Sequence, residues 1–279
     1  MAVEQDDCLT VEIAGGVAWV TINNPPINLF DTKLIRALSS AADWLEDDPA
    51  IGVIVFQSAD PDFFIAHGDV NTILGSIGAE GGGQSDSSPF QHLLDRFRLM
   101  PKVTIGKIDG IARGGGLELL AALDMRFCSL ENTRLGQPEV PLGIIPGGGG
   151  ASRWPRLIGY ARAMELLVGG ADIDGATAER YGMVNRALPA AELDVFVNSL
   201  AQRIANFPAH AVGRVKQVAQ HEGTLSSALD LEASAYSQAA THSDAQDVMR
   251  RFMASGGQTR ESELGNPFAG LSNRGGDQP

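Results

Sequence analysis

Apolar and polar residues alternate along Leu9–Glu12, and β-branched residues cluster along Val17–Ile22, on either side of Gly15-Gly16. That pattern around a glycine pair predicts a β-hairpin. Asn23-Asn24-Pro25-Pro26 closes it with turn residues. Asp31 then stands as an N-cap before Leu34, Ile35, Leu38, Ala41, Ala42 and Leu45, which follow helical spacing. Ile51–Phe56 reads as a buried strand, 58–62 as a loop, and 75–88, rich in Gly and Ser, as a mobile loop. A short amphipathic helix is expected over 90–100, stopped by Pro101, with strands over 103–108 and 125–129. The triplet Gly114–Gly116 opens a helix to about Leu123. Another helix follows Gly147–Gly150, with Pro155 near its start or breaking it. Short helices over 160–168 and 177–181 and a strand over 184–188 come next. From Ala190 the pattern is helical throughout, over 190–206, 209–221, 224–240 and 243–254, and beyond Ser255 it becomes a polar tail. Strands mixed with helices early and helices alone late predict an α/β core followed by a helical subdomain.

Composition narrows the function classes. The 279 residues carry 44% apolar side chains and a formal net charge of −13. That charge repels phosphate backbones and weighs against nucleic-acid binding, while leaving room for one local basic pocket. No apolar run approaches a membrane span. The acidic N-terminus lacks an export pattern, which gives a cytoplasmic expectation. Cys8 and Cys128 lie far apart and read as free thiols, and the five histidines show no metal-ligand spacing.

The chemistry concentrates between Ile111 and Gly150. In Arg113-Gly-Gly-Gly-Leu-Glu118 a helix N-terminus offers unpaired N–H groups, and glycine lets a substrate atom approach the Gly115 N–H. The plainer reading is a tight strand-to-helix turn with Glu118 on the helix dipole. Glu139 is held between Pro138 and Pro141, beside the apolar Val140, Leu142, Ile144 and Ile145. It reads either as a solvated turn carboxylate or as a partly buried acid with a raised pKa. Gly68 can offer a second N–H, Asp69 reads best as an N-cap for Val70–Leu74, and His67 stays ambiguous. Gly147–Gly150 fits a helix start or a flexible turn.

On Asn28, Phe64–Asp69, Ile108–Leu119, Gly136–Glu139 and Pro141–Gly150, the chain resembles the crotonase superfamily, the enoyl-CoA hydratase/isomerase group, from about residue 9 to 255. The resemblance implies an α/β fold of the ClpP/crotonase type: a core of β-β-α turns wound as a right-handed superhelix over 1–195, a helical trimerisation subdomain over 196–258, and a polar tail over 259–279. It implies an acyl-CoA thioester substrate, with coenzyme A as part of that substrate and no separate cofactor or metal, and a homotrimer or dimer of trimers. By position, Gly68 and Gly115 match the oxyanion-hole donors, and Glu118 and Glu139 the two glutamates of hydratases. Ile65 and Ala66 lie where the family's backbone meets adenine, and His67, Gly114, Pro138 and Gly147 complete the expected substrate-binding set.

The sequence departs from the family at His67, where a glycine is usual, and in the Glu118–Glu139 spacing, longer by ~1 residue near 130–133, a change a surface loop tolerates. It departs again in the tail, where Arg260 stands in for a lysine-bearing segment. The leading expectation is hydration of a 2-enoyl-CoA. The alternatives are isomerase, dehydratase or C–C cleaving chemistry on the same fold, and a catalytically weak CoA- or RNA-binding protein.

Overall fold

In a computed structural model, which describes residues 3–79 and 88–265, the chain alternates between two sheets. The edge strand β1 (Val3–Asp6) pairs with β2 (Leu9–Ala14), and β2 with β3 (Val17–Ile22), both antiparallel. The second pairing is the expected hairpin. After α1 (Thr32–Asp47), β4 (Val53–Ser58) lies parallel to β3. β4 begins two residues later than the apolar run suggested, because Ile51 is still tied to the turn through its N–H to Asp48 O at 3.2 Å.

Starting with β4, three successive strands of the large sheet are each followed by a short strand of the second sheet and then by helix. β4 leads to β5 (Phe63–Ile65), α2 (Val70–Ala79) and α3 (Pro89–Leu99). β6 (Val103–Ile108) leads to β7 (Ile111–Arg113) and α4 (Gly115–Ala122). β8 (Met125–Ser129) leads to β9 (Arg134–Gly136), a 3-10 turn at Val140–Leu142, and α5 (Gly150–Ile158). Then come α6 (Tyr160–Gly169), β10 (Ile173–Asp174), α7 (Gly175–Tyr181) and β11 (Arg186–Leu188). The large sheet has seven strands in the order β1-β2-β3-β4-β6-β8-β11, and the small one four in the order β10-β9-β7-β5. This is the β-β-α winding expected of the core.

The main apolar core includes α1, α3, α4 and α5, with Leu34, Phe56, Phe64, Phe97 and Trp154 fully enclosed. α8 (Ala190–Ala205) runs through the expected boundary at 195/196 and packs Leu193, Val197, Ala201 and Ala205 on Val17, Val53 and Ile105 of the large sheet, so its whole length belongs to the core. α9 (Ala209–Ala219), α10 (Leu225–Ala240) and α11 (Ser243–Ala254) follow. α9 is fastened to the sheet by Lys216, whose Nζ lies 2.8 Å from Asp124 Oδ2 and donates to Lys102 O at 2.7 Å.

The structure corrects the sequence reading in three further places. Residues 75–79 of the expected Gly/Ser loop belong to α2, while 80–87 lie outside the described residues. Pro155 sits inside α5, which continues to Ile158. The expected tail contains a short helix, α12 (Arg260–Leu264), capped by Thr259. Among the described residues, no helix is long and apolar enough to cross a membrane.

Candidate active site

The two glutamates reach one place from different turns of the winding. Glu118 leaves the first turn of α4 and is 3% exposed. Glu139 follows β9 at the head of the 3-10 turn and is 9% exposed. Gly114 joins β7 to α4 at φ +49°, a conformation L side chains rarely adopt. A Cβ there would stand 2.9 Å from Glu139 Oε1 and 3.6 Å from the His67 Cβ, so Glu139 and His67 close over the same glycine.

Glu118 is held by the glycine run. Its Oε1 accepts the N–H of Gly148 at 2.7 Å and of Gly150, the first residue of α5, at 2.8 Å. The carboxylate therefore sits on a helix N-terminus. Burial nonetheless pushes its pKa up against these two N–H groups and the charge of Arg153. Glu139 is raised to about 7, first by burial and then by the nearby Glu118 charge, with a backbone hydrogen bond opposing. With its NH2 turned to the carboxylate, Gln137 donates to Glu139 Oε1 at 3.1 Å and Oε2 at 2.9 Å. Two buried carboxyls that feel one another titrate as a coupled pair.

The two glycines named from the sequence adjoin this contact along the chain, Gly115 after Gly114 and Gly68 after His67. Gly115 is the first residue of α4, so its N–H has no acceptor within the helix. Phe30 forms a parallel bridge to Gly68, in which the Phe30 N–H donates to His67 O at 2.9 Å and the Asp69 N–H to Phe30 O at 3.3 Å. That leaves the Gly68 N–H outside the ladder. Asn28 fixes this loop, donating from its buried amide to Ser58 Oγ at 2.8 Å and Phe63 O at 3.0 Å. Asp69 is the expected N-cap, with Oδ1 accepting from Asn71 N at 3.1 Å and Oδ2 from Thr72 N at 3.2 Å. The Nδ1 of His67 lies 2.8 Å from Gly68 O, which turns the ring back onto its own loop.

Ile65 and Ala66 are buried, Gly114 is enclosed, Pro138 is half-buried, and Gly147 is exposed. Sequence reasoning missed Phe30 and Phe90, whose rings meet edge to face at 4.8 Å and flank Gly115. It also missed Gln137, Gly148 and Gly150 as the groups that hold the carboxylates. The Gln-Pro-Glu run carried a signal for Gln137, since an amide two residues from a buried acid can reach it. Residues 130–132, in the stretch where an extra residue was expected, form an exposed turn. Arg260 is exposed at the start of α12.

The family model for enoyl-CoA hydratase/isomerase matches residues 12–258. The chain belongs to the enoyl-CoA hydratase/isomerase family. It is 30% identical to a short-chain-enoyl-CoA hydratase of Clostridium acetobutylicum over 248 residues, covering 87% of this chain and 93% of that one. It is 38% identical over 177 residues to the fatty acid oxidation complex subunit alpha of Aliivibrio fischeri, covering 62% of this chain but only 26% of that longer protein. The crystal structure of an enoyl-CoA hydratase from Bacillus anthracis superposes with a TM-score of 0.80 at 27% identity, over 89% of this chain and 96% of that one.

One cluster lies apart from the family's site. His210, His242 and Asp244 bring potential ligand atoms within 4.8 Å of one another, although the sequence spacing gave no such sign. The two imidazoles stack at 3.8 Å and 15°, so their in-plane lone pairs run side by side instead of converging on one ion.

Proposed function

We propose that the protein hydrates a 2-enoyl-CoA thioester. The observation that carries this reading is the pairing of two buried carboxyls with raised pKa values, Glu118 and Glu139, around the glycine-lined start of α4. The N–H groups of Gly115 and Gly68 donate to the thioester oxygen and stabilise the negative charge that develops on it, each worth roughly 10²–10³ in rate. Glu118 takes a proton from water as the oxygen attacks C3. The electron pair of the C2=C3 bond moves toward C2 and the thioester oxygen. Glu139 then delivers a proton to C2, so water has added across the double bond. A proton passing from Glu118 to Glu139 restores the starting state. Such acid–base help is worth about 10²–10⁴, and a donor with a pKa of about 7 suits neutral pH.

Phe30 and Phe90 form an apolar wall for the acyl group beside these carboxyls. His67 next to Glu139 is this chain's own addition to that wall. We assign the expected homotrimer or dimer of trimers to the C-terminal helices, which carry exposed Val215, Leu225, Tyr236, Met249 and Met253.

The test is loss of the enoyl-thioester absorbance when purified protein meets short, medium and aryl 2-enoyl-CoAs. Turnover on at least one is expected, and none on any would refute the reading.

A further inference from the structure

One amide group links Glu118 to a helix that carries none of the catalytic residues. The peptide between Gly147 and Gly148 presents its N–H, from Gly148, to Glu118 Oε1 at 2.7 Å. Its carbonyl, from Gly147, accepts from Gln91 Nε2 at 2.7 Å. The two contacts lie at opposite ends of a single planar unit, so holding the carbonyl fixes where the N–H points. A donor on the carbonyl also polarises the N–H beyond it.

Gln91 has a second contact. Its Oε1 accepts the backbone N–H of Ser88 at 3.0 Å, while the Gln91 N–H donates to Ser88 Oγ at 3.2 Å. This is a capping box at the start of α3. One carboxamide therefore closes the N-terminus of α3 with its oxygen and grips the glycine loop with its nitrogen. Phe90, the residue before it, stands against Gly115 and Gly148. The next peptide of the loop is gripped separately, since Arg153 Nη1 donates to Gly148 O at 2.7 Å.

We propose that Gln91 is a positioning residue for Glu118: its side chain holds the Gly147–Gly148 peptide by the carbonyl and thereby keeps the opposite N–H on the carboxylate. The inference deepens the hydratase reading, and rests on it only for the kinetic consequence. The start of α3, which also carries a wall of the acyl pocket, is in this way tied to the group that deprotonates water. A substrate that presses on Phe90 acts on Glu118 through the same carboxamide.

The charged groups bearing on Glu118 are Arg153 from α5, with Asp95 of α3 paired behind it, and Glu139 from the loop after β9. Gln91 is neutral, so exchanging it for another neutral residue changes none of these charges. The decisive measurement needs no substrate. Protein labelled with carboxyl-carbon-13 glutamate is titrated by NMR, and the Glu118 resonance is assigned by its absence in Glu118→Gln. Gln91→Met removes the donor, and Gln91→Asn, with a side chain too short to reach, serves as the second variant. Both are expected to move the Glu118 midpoint up by about half to one pH unit, the range of one neutral hydrogen bond. Ser88→Ala, which weakens the α3 cap and leaves the Gln91 amide in place, is expected to lower thermal stability without moving the midpoint. An unchanged midpoint in both Gln91 variants, or an equal shift in Ser88→Ala, would overturn the proposal. With an active 2-enoyl-CoA, the Gln91 variants are further expected to lose about three- to ten-fold in kcat with KM within two-fold. A wild-type protein that turns over no enoyl-CoA would refute the hydratase reading alone, since the titration decides the role of Gln91 without any turnover.

Discussion

Gln137 and Glu139 face one another across Pro138, with the Gln137 carboxamide donating to both oxygens of the Glu139 carboxylate. Gln137 is 1% exposed, so its amide has no water to compete with this partner. A donor to the ionised form lowers a carboxyl pKa, whereas burial and the Glu118 charge are what raise that of Glu139. In Gln137→Leu the pKa rises further. The alkaline limb of the pH–rate profile, where Glu139 loses the proton it must deliver, is expected to move up by about one pH unit. Loss of orientation is expected to lower kcat roughly ten-fold. A limb that stays in place would detach Gln137 from Glu139.

Glu139 itself makes two opposing predictions. Glu139→Gln is expected to lose about 10²–10⁴ in rate, since an amide cannot deliver the proton. The same change is expected to stabilise the fold at alkaline pH. The carboxyl is raised from 4.5 to about 7 on folding, so its contribution is full below 4.5 and is lost as pH rises through 7. Thermal denaturation should therefore give Glu139→Gln a Tm a few degrees above wild type at pH 8 and close to it at pH 4.5. Equal Tm differences at both pH values would contradict the raised pKa.

Much of the fold is legible in the sequence where elements are long enough to repeat a pattern. The hairpin β2–β3, the Asp31-capped α1, and strands β6 and β8 follow directly from apolar spacing. The small sheet does not, because β5, β7 and β9 have three residues each and β10 two, too few for any period to emerge. β1, which reads Val-Glu-Gln-Asp, is an edge strand whose polar side chains give no apolar signal. In the site, the two glutamates and two glycines could be named because each carries its own chemistry. The groups that hold Glu118 could not, since a backbone N–H at Gly148 is invisible until the winding brings it to the carboxylate.

Gly148 leaves little room for any other residue. A Cβ there would lie 2.4 Å from Phe90 Cε1 and 2.8 Å from Glu118 Oε2. Gly148→Ala is expected to displace both side chains and lower kcat about a hundred-fold, with the circular-dichroism spectrum unchanged. Wild-type kcat in this variant would mean that Glu118 does not depend on the loop.

Lys216 separates stability from chemistry. Its ammonium is buried, and desolvation holds its pKa below the ordinary lysine value even with Asp124 beside it. Lys216→Ala leaves Asp124 without that partner and is expected to cost about 3 kcal/mol in urea unfolding. kcat should stay within two-fold of wild type, because Lys216 touches neither carboxyl. A stability change below 0.5 kcal/mol, about the noise of a surface substitution, would show that the α9 anchor contributes nothing.

If Glu118 and Glu139 add water to an enoyl thioester, the new hydroxyl oxygen comes from solvent. Incubating the wild-type protein with a series of 2-enoyl-CoAs in oxygen-18 water and weighing the products reads that oxygen out. One oxygen-18 atom is expected in a 3-hydroxyacyl-CoA for at least one chain length, with Glu118→Gln slower by about 10²–10⁴. A migrated double bond without the label, or no conversion of any thioester, would contradict water addition by this pair.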